Sequence, residues 1–481
     1  MNLAALLVVL PLLAAFLTPS LGRVSPSLAR LLGPVVLVFC AGLAANLWLN
    51  AGLPFSVALG DFAPPLGINL YLDPLALLFA MAVYLLVLLA WPWREGTPAQ
   101  CALLMLLSGA SVALALSGDL FNIFVFYELM SVASFGLVVS NHRRSAQLAT
   151  IRYVILSGLG TVLFLVGVAI VYASTGTLNL AHLATLAPQA LNDMRGVAAF
   201  VLILLGIGVK AELFPVNGWV PEVYASAPRW SSGLLAGMVS KLAVLALLRL
   251  LVLVFDFPEA HAVLLVLGLA GVVVGELAAW WARDFTRMLA FSSIAHLGLV
   301  FVGFGIGGPA GVLAGLAVAL HHLLVKSGLF YLAEAWGGSL ERLQGAGRRA
   351  PFSALLFILF ALSLVGVPPL PGFWAKMLLV MGLGSLDTPL AWATLGGVLA
   401  MTVLEASYLF RLIAGFYTGE EPAQAAPAQQ AWNAGRAWLF GAALVVVTVA
   451  VVPLGDWLAT VAGEAADAAR YVTVVFRQGA L

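Results

Sequence analysis

Charge is what this chain has least of: 9% of its 481 residues are Asp, Glu, Lys or Arg, against 63% hydrophobic, with a mean hydropathy of +1.08. That composition excludes a soluble globular domain and specifies an all-α polytopic membrane protein. A net charge of +1 offers no basic field for nucleic acid. Cysteine is nearly absent. Cys40 and Cys101 lie in or beside apolar runs and form no C-x-x-C pair, so neither a disulfide framework nor an iron–sulfur or zinc site is expected. The six histidines lack the helical spacing to a second histidine or carboxylate that a metal or haem site calls for. No metal and no cofactor is expected, and any redox chemistry of a parent assembly belongs to another subunit.

Lysine is the scarcest charge. All four, Lys210, Lys241, Lys326 and Lys376, fall inside long apolar stretches, while the flanking charges are overwhelmingly arginine. An ammonium loses its proton when desolvated or crowded by another cation, whereas a guanidinium, with a pKa above about 12, stays charged. Lysine is therefore used for something arginine cannot do, and titrating groups in a membrane point to proton movement.

About 20 apolar residues cross a bilayer core, and the chain supplies such stretches almost end to end. Spans are expected at roughly 2–20, 31–51, 70–92, 100–117, 119–140, 149–173, 197–218, 231–255, 261–282, 286–306, 310–335, 353–385, 391–416 and 436–460, about fourteen in all. The first run has no basic residue ahead of it, so it reads as an uncleaved span and not a signal peptide. Loop charges test this count. Arg23, Arg94, Arg143, Arg144, Arg229, Arg283, Arg287, Arg342, Arg348, Arg349 and Arg436 follow odd-numbered spans; Asp61, Asp193 with Arg195, Asp256, Glu259 and Asp387 follow even-numbered ones. Because cytoplasmic loops collect basic residues, both termini are expected on the non-cytoplasmic side of the cell inner (plasma) membrane.

Two spans must break. The seventh carries Pro215 and Pro221 after Lys210, and the twelfth carries Pro368, Pro369 and Pro371 before Lys376. Proline removes a backbone donor and clashes with the preceding turn, and broken backbone survives at membrane depth only where protein or water satisfies it. The breaks lie five spans apart, so the second is inverted relative to the first. The expected organisation is helices 1–3 in 1–95, a first five-helix repeat in 100–255, a second, inverted repeat in 261–416, and helix 14 in 436–460 followed by a short tail.

Glu128, Lys210, Lys241 and Lys326 lie far from the ends of their spans, where a charge facing lipid costs roughly 2.5 to 3.5 kcal/mol. They must face protein, water or one another; snorkelling and static pairing are the alternatives. Glu128 and Lys210 suit a switchable ion pair. His322, four residues before Lys326, shares its helix face and can relay protons, while His321 points about 100° away. His296, Glu405 and Glu212 are secondary candidates, the last beside the first break with Glu222, where Arg229 is a candidate partner. Glu276 is expected near a membrane edge, neutralised by Arg283. His142, His182 and His261 read as ordinary surface histidines.

The segments Phe121-Asn-Ile-Phe-Val-Phe-Tyr-Glu128, Lys210 to Pro221, Arg287-Met-Leu-Ala-Phe-Ser-Ser-Ile-Ala-His296, His321-His-Leu-Leu-Val-Lys326 and Pro369-Leu-Pro-Gly-Phe-Trp-Ala-Lys376 resemble the antiporter-like proton-pumping subunits. That family is shared by respiratory complex I, membrane-bound hydrogenases and Mrp-type cation/proton antiporters. The likeness covers roughly residues 70–415. The double histidine and Thr175-Gly-Thr-Leu-Asn-Leu-Ala are most similar to the D-type subunit of the Mrp antiporters. The short stretch after the fourteenth span leaves no room for the long lateral helix of the largest members.

The resemblance implies fourteen helices, two inverted five-helix bundles, and a hydrated line of charge. In that line Glu128 and Lys210 are the switching pair, Lys241 and His322 with Lys326 the central relay, and Lys376 the terminal group. It implies a proton-translocating subunit of a Na+/H+ antiporter, working with other membrane subunits in lipid and carrying protons, with sodium a candidate cargo. The alternatives are the same pump in an NADH:quinone oxidoreductase or hydrogenase complex, and a non-conducting scaffold. Asn217, where many relatives carry His, and Glu212, close to Lys210, depart from the pattern.

Overall fold

The computed structural model describes residues 3–60, 62–93, 96–418 and 429–478. Asp61 and Arg94, used above to orient the loops, lie outside the described residues, as does the Arg229 side chain. The chain runs α1 (Leu3–Val24), α2 (Pro26–Asn50), strands β1 (Phe55–Ala58) and β2 (Asn69–Leu72), α3 (Pro74–Ala90), α4 (Pro98–Leu116), α5 (Leu120–Val139), α6 (Arg144–Thr175), α7 (Leu180–Ala190) and α8 (Met194–Gly208). It continues with α9 (Val220–Ser226), α10 (Arg229–Leu234), a π-turn at Leu235–Val239, α11 (Ser240–Leu253), α12 (Pro258–Trp281), α13 (Phe285–Ile306) and α14 (Gly308–Trp336). A 3-10 turn at Leu340–Leu343 leads to α15 (Ala346–Arg349), α16 (Pro351–Val365), α17 (Pro371–Ser385), α18 (Pro389–Gly415), α19 (Gln429–Val449), α20 (Val451–Ala465) and α21 (Ala468–Gln478).

Among the described residues ten helices are long and apolar enough to cross a membrane, eleven if a bent pair counts as one span. Shorter apolar helices at Pro74–Ala90, Met194–Gly208 and Pro351–Val365 correspond to the expected third span and to the leading halves of the seventh and twelfth. The chain is a multi-pass helical membrane protein. Its helix starts are fixed by short polar side chains: Asp73, Thr97, Asp119, Asn179, Asp193, Asp284 and Thr388 each accept from a backbone N–H of the first turn. A side chain that satisfies these orphan donors ends the apolar run cleanly.

Three features depart from the sequence reading. Strands β1 and β2 pair antiparallel, Phe55 opposite Leu72, so residues 70–72 form a strand edge and not the start of the third span. The expected fourteenth span is bent by 86° between Val449 and Val451. Pro453 explains the position, since its ring is incompatible with the carbonyl four residues earlier, that of Val449. The expected tail contains helix α21, with Tyr471 and Val475 buried.

The chain divides into two compact units. The first comprises Met1–Ala211, Met238–Ala260 and Glu464–Leu481. Its helix α11 is buried over almost its whole length and carries, near its end, Arg249, which donates to Asp73 at 2.7 Å. The rings of Tyr71 and Tyr471 lie 5.2 and 5.8 Å from that guanidinium, so β2 and α21 are fastened to the same charge. The second unit comprises Glu212–Gly237 and His261–Gly463. Here α12 and α13 approach backbone to backbone: a Cβ on Gly275 would stand 2.6 Å from the Ala295 nitrogen, and one on Gly298 would stand 2.6 Å from the Gly268 oxygen. Small residues bring membrane helices this close, and here they set Glu276 beside His296.

Candidate functional site

Lys210, Lys241 and Lys326 are all 0% exposed, which excludes snorkelling for these three. In the first unit α8 ends at Gly208, and Lys210 follows in the turn where the proline-bearing segment begins. Its Nζ donates to Ser157 Oγ at 3.0 Å and stands 3.8 Å from the Tyr127 ring centroid. Tyr127 is held by donating to the carbonyl of Gly206 at 2.8 Å. The neighbouring Glu128 accepts from Thr161 Oγ1 at 2.9 Å.

The expected direct pair of Glu128 and Lys210 is therefore not observed, because the two side chains are not within ion-pair distance among the described residues. Both side chains instead contact helix α6. Ser157 and Thr161 are four residues apart on one face of it, each serving one member of the pair, and the Thr161 hydroxyl also lies 2.9 Å from the Ser157 carbonyl. One hydroxyl proton thus has two acceptors, the carboxylate and its own helix. Lys241 donates to Ser240 Oγ at 3.1 Å on α11.

In the second unit the residues after the first break are anchored locally. Glu212 is buried with φ at 57°, and its carboxylate accepts from the Tyr224 hydroxyl at 2.6 Å. Asn217, the departure from the family pattern, donates to the Glu212 carbonyl at 3.1 Å. Glu222 pairs with Arg287 at 3.0 Å.

The second break gathers more charge. Gly366 ends α16 in the left-handed conformation that favours glycine, and Pro371 opens α17. Lys376 on α17 donates to Glu405 Oε2 on α18 at 2.7 Å; the lysine side chain is 14% exposed and the glutamate 2%. The other Glu405 oxygen lies 3.4 Å from His296 Nε2 on α13. His296 Nδ1 stands 2.9 Å from the carbonyl of Ser292, whose hydroxyl accepts from Lys326 Nζ at 2.6 Å. The rings of His296 and His322 stack at 5.6 Å, and His321 Nε2 meets Ser363 Oγ at 2.8 Å.

Lys326, His322, His296, Glu405 and Lys376 are thereby brought into one connected group. Glu276 joins them: it is buried and accepts from the Tyr408 hydroxyl at 2.9 Å, in place of the expected neutralisation by Arg283. One ligand-type atom each from Glu276, His296 and Glu405 lies within 4.8 Å of the others, and the neighbouring positive charge comes from this chain's own Lys376. Sequence spacing could not find this group, because Glu276 and Tyr408 are 132 positions apart. The hydroxyls of Ser157, Thr161 and Ser292 were also missed.

Residues 117–402 match the family described as NADH:quinone oxidoreductase/Mrp antiporter, transmembrane. The chain is 34% identical over 450 residues to NADH-quinone oxidoreductase subunit N of Desulforudis audaxviator, covering 89% of each. It is 26% identical over 503 residues to the D-type subunit of the Na(+)/H(+) antiporter of Bacillus subtilis, covering 99% of this chain and 100% of that one. A chain in the solved membrane-bound sulfane sulfur reductase, an archaeal respiratory membrane complex, superposes with a TM-score of 0.87 at 31% identity, covering 98% of this chain and 99% of that one. By its matched segment and by these similarities, the chain belongs to the NADH:quinone oxidoreductase/Mrp antiporter transmembrane family.

Proposed function

We propose that this chain is the proton-translocating subunit of a multisubunit Na+/H+ antiporter, moving protons by changes in lysine protonation. The observation that carries the reading is the set of lysine environments. Three are fully buried with a hydroxyl partner each, and the fourth meets a carboxylate. In this reading Glu128 and Lys210 switch through Ser157 and Thr161, Lys241 and Lys326 with His322 relay, and Lys376 with Glu405 and His296 forms the terminal group; His321 and Glu212 assist. The similarity to the D-type antiporter subunit supports it.

The finer architecture belongs to the same proposal: fourteen spans, helices 4–8 and 9–13 as inverted repeats, and both termini on the non-cytoplasmic side of the inner membrane. Glu128 requires a partner subunit. It is half-buried on α5, on the same face as exposed Phe121, Val125 and Val132, where a carboxylate at membrane depth is expensive unless a neighbouring protein covers it. The second reading, the same pump in a redox-driven respiratory complex, is favoured by the similarity to NADH-quinone oxidoreductase subunit N.

The test is ΔpH-driven cation exchange in everted vesicles carrying the whole native assembly, comparing wild type with Lys210→Ala at matched expression. Loss of exchange with the complex still assembled is the expected result. Unaltered exchange in the variant removes Lys210 from the mechanism. Proton movement without cation exchange in wild type favours the redox-driven complex, and destabilisation without a selective loss of flux favours a scaffold.

A further inference from the structure

The buried lysines and histidines of the second unit leave one charged cavity unused. It lies at the turn between α12 and α13 and has a volume of about 550 Å³, inside the roughly 300 to 1,000 Å³ range of small-molecule sites. Ala278, Trp281 and Phe291 line its apolar part, and Arg283, Arg287 and Ser339 its polar part. The backbone around it is fixed. The Arg283 carbonyl accepts from the Leu340 N–H and the Gly338 carbonyl from the Phe285 N–H, both at 2.9 Å, so the turn is tied to the segment that follows α14.

The polar part suits an anion. Arg283 is exposed and makes no ion pair or side-chain hydrogen bond among the described residues. Arg287 gives one donor to Glu222 at 3.0 Å with its side chain 48% exposed, and a guanidinium has five. Asp284 also lines the cavity, but its carboxylate is engaged as the cap of α13, accepting from the Arg287 N–H at 3.0 Å. The carbonyl end of α12 and the amide end of α13 meet here and offset each other, so the guanidiniums set the sign of the field. Their planar forks match the oxygens of a phosphate.

The apolar part says which kind of phosphate. Val274, Leu277 and Trp281 are 41%, 43% and 74% exposed and, with half-buried Ala278, follow the i, i+3, i+4, i+7 spacing of one helix face, which extends about 10 Å along α12. That face leads from within the span to the cavity, with Trp281 at the end, where indoles mark the membrane–water boundary. Free phosphate gains nothing from it, whereas an acyl chain does. We propose that this cavity binds an anionic phospholipid, with its phosphate at Arg283 and Arg287 and an acyl chain along Val274, Leu277 and Trp281. Basic pockets between membrane helices bind such headgroups, and net negative charge is what two guanidiniums distinguish from a zwitterion.

The experiment is quenching of Trp281 fluorescence in the purified whole assembly by phosphatidylglycerol brominated on its acyl chains, with the Trp281 signal taken as the difference between wild type and Trp281→Phe. Quenching should saturate with this lipid and be much weaker with brominated phosphatidylcholine. Arg283→Ala should raise the half-saturating concentration about tenfold, the loss of one charge-assisted contact to phosphate. Arg144→Ala, an exposed arginine of the first unit, should leave it unchanged. Equal quenching by the two lipids, or equal losses in the two arginine variants, overturns the site. Relief of quenching by excess inorganic phosphate makes it a free-anion site and overturns the lipid. No quenching by either lipid means that a partner subunit covers Trp281, which overturns it too. If Trp281→Phe does not assemble, native mass spectrometry of the wild type and Arg283→Ala decides: equal numbers of retained phosphatidylglycerol molecules overturn the proposal.

Discussion

The two units hold their membrane charges in opposite ways. In the first, Glu128 and Lys210 are kept apart, each on its own α6 hydroxyl; in the second, Lys376 and Glu405 touch at 2.7 Å. A hydroxyl can turn between acceptors at small cost, whereas separating a buried ion pair leaves a charge unpaired. The first arrangement is suited to switching and the second to holding a defined charge state until a proton replaces the pair. The first unit also contains a control. Arg249 and Asp73 pair at 2.7 Å with side chains 9% and 8% exposed, but a guanidinium has no accessible neutral state. Burial alone does not make a charge functional; the side chain must be able to lose it.

The largest expected effect follows from that distinction. Lys210→Arg preserves the positive charge and removes the ability to deprotonate. Exchange should fall as far as in Lys210→Ala, by about a hundredfold or more, while assembly is retained. Measured beside Asp73→Asn, which should weaken stability but leave flux per assembled complex unchanged, this separates a titrating charge from a fixed one. Normal exchange with Arg at position 210 would mean that Lys210 acts only as a static charge.

Next in size is a stability difference between the units. Glu405→Ala leaves the Lys376 ammonium beside a buried gap and should cost about 3 to 5 kcal/mol, read as a lower melting temperature of the purified assembly. Adding Lys376→Met should restore much of it. Glu128→Ala removes one hydrogen bond to Thr161, about 1 kcal/mol, and should barely move the melting temperature. Equal losses at the two glutamates would erase the contrast between the units.

What was legible in the sequence is explained by the same physics. A lysine inside an apolar run is conspicuous because it is expensive, and a proline inside one is conspicuous because it cannot continue the helix. The lysines and both breaks were found on those grounds. Ser157, Thr161 and Ser292 were not, because a hydroxyl in a membrane helix can satisfy itself on its own backbone, and only the facing helix decides whether it also serves a charge. Glu276 was misjudged for a related reason. Its distance from Arg283 along the chain is visible, but the Gly275 and Gly298 contacts that press α12 onto α13 are not. The 86° bend near Val449 is not legible in the sequence, since a single proline near a span end, here Pro453, can also be absorbed without a bend.

A smaller effect should come from the bridge itself. Thr161→Val keeps the shape and removes the hydroxyl, taking away the Glu128 contact without altering either charge. Flux is expected to fall severalfold, far less than in Lys210→Arg, with a stability change near 1 kcal/mol. A loss as large as that in Lys210→Arg would make the hydroxyl an obligatory carrier; no loss at all would mean that Glu128 and Lys210 communicate without α6.

The smallest effect lies at the exposed end of the range. Asp193 caps α8 through the N–H groups of Arg195 and Gly196 and pairs with Arg195 at 2.8 Å, with side chains 42% and 72% exposed. The Arg195 hydrogen bond, with help from the Gly196 N–H, holds its carboxyl below the usual value. A lowered carboxyl contributes stability above its unfolded pKa and loses it as pH falls through the folded one. Acidification below the ordinary carboxylate range should therefore fray the first turn of α8, seen as faster hydrogen exchange there, and Asp193→Asn should abolish that pH dependence. Because water and salt screen the pair, transport should not change. If acid fraying at Asp193 did slow exchange, the start of α8 would be coupled to Lys210 at its far end, and an exposed pair would be doing what only the buried ones are expected to do.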